Sequence, residues 1–206
     1  PAPELALQSA EFLEDAMPAA GHILHMPAHI YVRVGQYTRS IESNLKAVKA
    51  DEQYLSYSGN QGMYRLMYYP HNVDFIAFSS YMEGRSNLGI QTALKLAYKG
   101  SFSKQSAPGF SQYLTVEPMI AYTRFGKWSD ILSLPDPGND ILYGQVMWRF
   151  SRGLAFIRTG HNSEARKELS KLDSLNKLDT LKTIYISFNP VSSSSQIAVH
   201  LLRGEI

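Results

Sequence analysis

The sequence predicts an all-α fold built from repeated helix pairs, and three observations carry that expectation. Glycines recur at Gly35, Gly84, Gly126, Gly160 and Gly204, spaced 49, 42, 34 and 44 residues apart, in a pattern of amphipathic stretch, glycine, second amphipathic stretch. Aligning on these glycines brings Ala28, Ala77, Met119 and Gly153 together seven residues before the glycine, and Ser40, Gly89, Ile131 and Ala165 five after it. Both positions are small in three of the four units, which lets two antiparallel helices approach closely. Strand signals are few: Thr183 to Phe188 alternates briefly between segments that read as helix and loop.

Composition agrees with a packed domain. Of 206 residues, 44% are hydrophobic and 18% charged, which excludes a disordered chain. Lys and Arg number 20 against 18 Asp and Glu, so a net charge of +2 supports no general affinity for nucleic acid. Lys95, Lys99 and Lys104, near Tyr98 and Phe102, read as solvated helix faces rather than as a phosphate-tracking surface. No cysteine occurs, which removes disulfides, thiolate ligands and cysteine nucleophiles and is compatible with any compartment. The apolar runs fall far short of the ~20 residues that a membrane helix needs. The chain opens on Pro1 rather than Met and reads as a piece of a longer protein.

Taken in order, residues 3–18 form a partial unit whose stretch 4–16 reads as a second helix. Units follow at about 21–52, 70–99, 112–134 and 146–176, and residues 192–206 read as the first helix of a further unit. In the third unit the run Pro135-Asp136-Pro137-Gly138 must end the second helix early, because proline neither donates a backbone hydrogen bond nor fits the helix interior. Residues 51–69 form an insertion rich in Tyr54, Tyr57, Tyr64, Tyr68, Tyr69, Met63 and Met67, either an extra turn packed by its own aromatics or a lid beside a groove. Residues 99–112 read as a polar loop, and the serines from Ser192 to Ser195 as a cap for the last helix.

The segment Ala28-His29-Ile30-Tyr31-Val32-Arg33-Val34-Gly35-Gln36-Tyr37, with Ser40, Ala47 and Asp51 after it, resembles the tetratricopeptide repeat. Gly153 to Leu172 resembles it too, with Ala165, Leu169 and Leu172 on one helical face. The resemblance covers most of the chain in degenerate form. It implies one domain over residues 1–206, a right-handed superhelix of antiparallel helix pairs, and a scaffold that holds a peptide or protein partner in its concave groove. Uncovered terminal units would also allow end-to-end self-association.

The histidines supply the sharpest local signal. Three of the six run His22, His25, His29, and on a helix they fall within roughly 80° of one another. Pro27 either kinks this helix or stands near its start. His22, His25 and His29 lie thirteen, ten and six residues before Gly35, and His71 and Asp74 lie thirteen and ten before Gly84. The resemblance implies that these offsets line the concave groove. Neutral imidazole is a common metal ligand, and a carboxylate can ligate or orient a histidine. A cluster of imidazoles with Asp74 would suit a divalent transition metal: zinc, copper, iron or nickel. A polar network with the neighbouring tyrosines, or direct contact with a ligand, are the other readings. His161 and His200 read as ordinary hydrogen-bonded residues.

Arg33, Arg124 and Arg158 each stand two residues before their glycine. Guanidinium groups there would either cap a helix C-terminus or, as the resemblance implies, meet a carboxylate in the groove. Tyr81 and Tyr113 complete the candidate groove residues. No phosphate-binding loop, Gly-x-Ser-x-Gly elbow or His-Glu-x-x-His pair occurs, so no catalytic residue and no reaction are assigned. Two functions remain: a helical-repeat scaffold, and a metal-binding or metal-dependent protein using the histidine cluster.

Overall fold

A computed structural model describes residues 2–58, 62, 64–100 and 108–206. It is all-helical apart from one minimal hairpin, as the sequence predicts. By Cα proximity the chain divides into two compact units, Pro1–Leu96 and Ala97–Ile206.

The first unit contains α1 (Leu7–Ala16), α2 (Gly21–Tyr31), α3 (Tyr37–Tyr57), α4 (Tyr69–Glu83) and most of α5 (Ser86–Gly100). Sequential helices pack on one another, α1 on α2, α2 on α3 and α3 on α4. Tyr31 is fully buried and donates its hydroxyl to Glu14 of α1 at 2.6 Å, and Arg39 of α3 pairs with Glu11 and Glu14 at 2.9 and 3.0 Å. Lys95 of α5 reaches Glu52 of α3 at 2.7 Å.

The second unit contains α6 (Pro108–Arg124), α7 (Trp128–Ser133), α8 (Leu142–Arg158), α9 (Asn162–Asn176) and α10 (Val191–Glu205). Its core gathers Val116, Val146, Trp148, Leu172, Leu181 and Leu202. Glu168, 5% exposed, lies between Arg149 and Arg152 at 3.0 and 3.3 Å, and both guanidinium groups stack on Trp148. The proline-rich run ends α7 at Ser133, as expected.

Four helix-to-helix turns share one geometry. Gly35, Gly84, Gly126 and Gly160 have φ of +77°, +76°, +65° and +80°, the left-handed region that costs other residues a clash at Cβ. The residue after each glycine donates its N–H to the carbonyl four before the glycine: Gln36 to Tyr31, Arg85 to Ser80, Lys127 to Tyr122 and His161 to Phe156, at 2.8 to 2.9 Å. That closure satisfies carbonyls that the helix end would otherwise orphan. The flanking small positions are buried at every turn, with Ala28, Ala77, Ser40 and Ala165 at 0% exposure. Met119 and Ile131, the two large residues in this set, are buried as well.

Several local expectations change. Gly204 lies inside α10 with no left-handed backbone, so it marks no turn. The cap of α10 is the extended Pro190; Ser192 to Ser195 sit within the helix and make no capping hydrogen bond. The insertion at 51–69 begins as a continuation of α3 to Tyr57, and Tyr64–Tyr68 forms a π-helical turn leading into α4. Met63 lies outside the described residues. Within 99–112, α5 runs to Gly100 and α6 starts at Pro108, with 101–107 outside the described residues. The alternating segment becomes β1 (Tyr185–Ile186) and β2 (Asn189–Pro190), an antiparallel pair closed by Ser187 at φ +55°. No helix among the described residues is long and apolar enough to cross a membrane.

Candidate metal centre

The seam between α2, α3 and α4 is unusually polar for a core. His25, Ser40, Asn44, Asp51, Asn72 and Ser79 are all 0% exposed. Buried polar groups are costly unless each finds a partner, so their pairing defines what the seam is built for.

Helix α2 carries His22, His25 and His29 over two turns of one face, and Pro27 lies in its interior rather than at its start. The proline removes the N–H that would bond the Ile23 carbonyl, yet the helix continues to Tyr31. His71 stands in the first turn of α4, which opens on Tyr69 and Pro70.

His25 is held by a two-step relay. The Asn44 amide nitrogen donates to the Ser40 carbonyl at 2.8 Å, which turns the Asn44 oxygen towards Nδ1 of His25, 2.7 Å away. An oxygen acceptor requires that Nδ1 carry the proton, so Nε2 of His25 presents a bare lone pair. Nε2 of His29 lies 2.9 Å from it and donates its own N–H. Ser40 is pinned in turn by Ser79 of α4, oxygen to oxygen at 2.8 Å.

His71 closes the group from α4. Its ring centroid is 4.7 Å from that of His25 and 5.6 Å from that of His29. One donor atom from each of His25, His29 and His71 lies within 4.8 Å of the others. Tetrahedral coordination at about 2.1 Å separates nitrogen donors by about 3.4 Å. The observed range, from 2.9 Å to no more than 4.8 Å, brackets that value. Phe75 presents its ring against all three imidazoles at 4.7 to 4.9 Å and supplies an apolar wall.

Burial is the main cause of the electrostatics here. It pushes His25 down to about 3 and His71 down to about 4, and it lowers His29 as well. Mutual repulsion between the imidazoles adds to this, while the hydrogen bond to Asn44 opposes it at His25. All three are therefore neutral near pH 7, the form that ligates a metal.

His22 and Asp74 stand outside the three-donor group. The His22 ring stacks on His25 at 5.9 Å and meets the edge of Tyr68 at 4.6 Å. Its Nδ1 is buried without a hydrogen-bond partner. Asp74 sits on α4, half-buried and engaged with other groups.

Asp51 is the second buried centre of the seam. Tyr64 donates its hydroxyl to one carboxylate oxygen at 2.5 Å, and Asn72 donates its amide to the other at 2.7 Å. Burial raises its pKa, against the pull of those two donors. The insertion is thus fastened by its own aromatics: Tyr64 contacts Tyr54 and Tyr68 at 5.1 and 5.4 Å, and Tyr69 donates to Glu52 at 2.7 Å.

The groove candidates divide between the units. Arg33 is exposed in the 3-10 turn that follows α2, and Tyr81 of α4 is only 9% exposed. In the second unit Tyr113 packs against the apolar core, Arg124 ends α6 at the surface, and Arg158 pairs with Glu205 at 2.7 Å. Sequence reasoning missed Asn44, Ser40 and Ser79 as supports of the histidine site, and Asp51 as the second buried centre beside it. Their signal was polarity at positions of α3 and α4 that share a stripe with Ile41, Ala47, Val48 and Val73.

No family model matches this chain. No curated protein matches it, and no solved structure does.

Proposed function

We propose that this protein binds a divalent transition metal through His25, His29 and His71. The observation that carries the reading is the convergence of three neutral imidazole donors within 4.8 Å, one of them fixed in tautomer by Asn44. Three nitrogen ligands with no thiolate suit zinc, copper, nickel or iron, and leave a coordination position for an exogenous ligand. The test is elemental analysis of untagged protein purified without chelator, followed by titration with zinc, cobalt, nickel and copper. About one metal per chain is expected, and His29→Ala and His71→Ala should each lose it. Wild-type affinity in both variants would sink the reading.

A second reading concerns the scaffold around the site. The four equivalent glycine turns, two in each unit, with buried small residues on either side, favour tetratricopeptide-like antiparallel helix pairs within each unit. Each unit would present a face to a peptide or protein partner, with Arg33 and Tyr81 as contacts in the first unit and Tyr113, Arg124 and Arg158 in the second. Affinity for an acidic peptide that is unchanged on replacing Arg33 and Arg124 by Ala would remove those arginines from that role.

A further inference from the structure

The second unit carries a cleft of about 450 Å³ between α8 and α9. It belongs to neither reading above. Its volume is in the range of cavities that take a small organic ligand. Leu142, Gln145 and Arg149 line it from successive turns of α8, Lys171 and Leu175 line it from α9, and Leu178 lines it from just beyond that helix.

The charged groups around the cleft are mostly spoken for. Arg149 pairs with Glu168 at 3.0 Å, lies 3.8 Å from Asp136 and stacks on Trp148. Glu168 is shared with Arg152, and Asp136 accepts from Nε2 of Gln145 and from the Gly138 N–H. Two lining groups are left over. Lys171 is exposed and makes no ion pair among the described residues. Gln145 is only 3% exposed, and the bond from its Nε2 to Asp136 leaves Oε1 with no hydrogen bond among the described residues. That oxygen still keeps accessible surface, and its residue lines the cleft.

We propose that the cleft binds a small hydroxy-carboxylate with an apolar chain. The carboxylate meets Lys171, the hydroxyl donates to Oε1 of Gln145, and the chain lies on Leu142, Leu175 and Leu178. A cation without a partner calls for an anion, and an unpaired acceptor in a buried side chain calls for a donor. The Arg149 guanidinium beside that acceptor repels a cationic donor, so a neutral hydroxyl fits where an ammonium does not. Three leucines in the same cleft supply the surface for the chain.

The test is isothermal titration calorimetry of the full chain with 3-hydroxyoctanoate, with octanoate, which lacks the hydroxyl, and with methyl 3-hydroxyoctanoate, which lacks the charge. The hydroxy acid should bind saturably, and each of the other two about tenfold more weakly. Lys171→Met changes an exposed residue and keeps its apolar stem; it should weaken the hydroxy acid about tenfold and leave the ester unchanged. Leu178→Ser should weaken all three probes. No saturable binding of 3-hydroxyoctanoate below its micelle concentration would overturn the proposal. So would equal affinity for acid and ester, or an unchanged affinity for the acid in Lys171→Met. Octanoate that binds as tightly as 3-hydroxyoctanoate would overturn it too, because Gln145 would then accept nothing from the ligand.

Discussion

The side-chain oxygen of Asn44 accepts a hydrogen bond from Nδ1 of His25 across 2.7 Å, inside a core where both residues are fully buried. The pair fixes which nitrogen of His25 is bare, and the bond from Asn44 to the Ser40 carbonyl prevents the amide from flipping. Replacing Asn44 by Leu should leave Nδ1 of His25 unsatisfied, lowering stability by about 1–3 kcal/mol. Metal affinity should fall by about 10- to 100-fold. Asn44→Asp keeps an acceptor for Nδ1 and should retain most of the affinity. Urea denaturation and competition with a chromogenic chelator measure the two effects separately. Equal losses in the Leu and Asp variants would mean that Asn44 only fills space.

Gly21 and Asp51 make a second close approach. A Cβ on Gly21 would collide with a carboxylate oxygen of Asp51, come within 2.6 Å of its Cγ, and lie 2.8 Å from the Ala47 carbonyl. Neither α2 nor α3 can yield without disturbing the Tyr64 and Asn72 bonds to Asp51. Gly21→Ala should therefore destabilise the protein by about 1–3 kcal/mol or more, as overpacking does in other cores. Gly35→Ala offers the contrast: nothing lies within 4 Å of the added carbon, and the cost comes only from φ of +77°. That should be about 1–2 kcal/mol. Thermal unfolding of both variants, with metal titration, separates them, because only Gly21→Ala should also disturb the histidine site.

The turns were legible because their requirement is local. A left-handed residue after a helix calls for glycine, and four of the five aligned glycines have that conformation. Gly204 carried the same letter, yet it is an ordinary residue of α10 without the left-handed backbone. The histidine face was legible for the same reason, since helical spacing fixes the direction in which a side chain leaves its helix. Which donors converge was not legible: His22 and His71 share one offset from their glycines, yet only His71 joins the donor group. Convergence depends on where α4 sits against α2 and on which buried partner orients each ring. Asn44, which orients His25, lies on α3, where a polar residue in the amphipathic pattern looks no different from a solvated one. The all-α class followed from pattern; the polar seam followed from packing.

Acid should weaken the metal-free protein in a defined window. His25 and His71 are held down to about 3 and about 4 by burial, against about 6.5 in the unfolded chain. Between these values the unfolded chain binds protons that the folded chain refuses, so unfolding becomes easier as pH falls. The contribution is intact above about pH 6.5, declines through pH 4 as His71 is overtaken, and is exhausted near pH 3 with His25. Each unit of depression is worth about 1.4 kcal/mol. Asp51 works in the opposite sense: its raised pKa means that the folded carboxyl takes up a proton before the unfolded one, which offsets part of the loss at the acid end. Urea midpoints at pH 7.5, 6, 5 and 4 should therefore fall steadily, and His71→Phe should flatten the slope by removing one of the protonating groups. Saturating zinc should raise the midpoint at pH 7.5 and steepen its fall, because protons and metal compete for the same lone pairs. A midpoint that stays level from pH 6.5 to 4 would mean that these imidazoles reach water and protonate in the folded protein as freely as in the unfolded one.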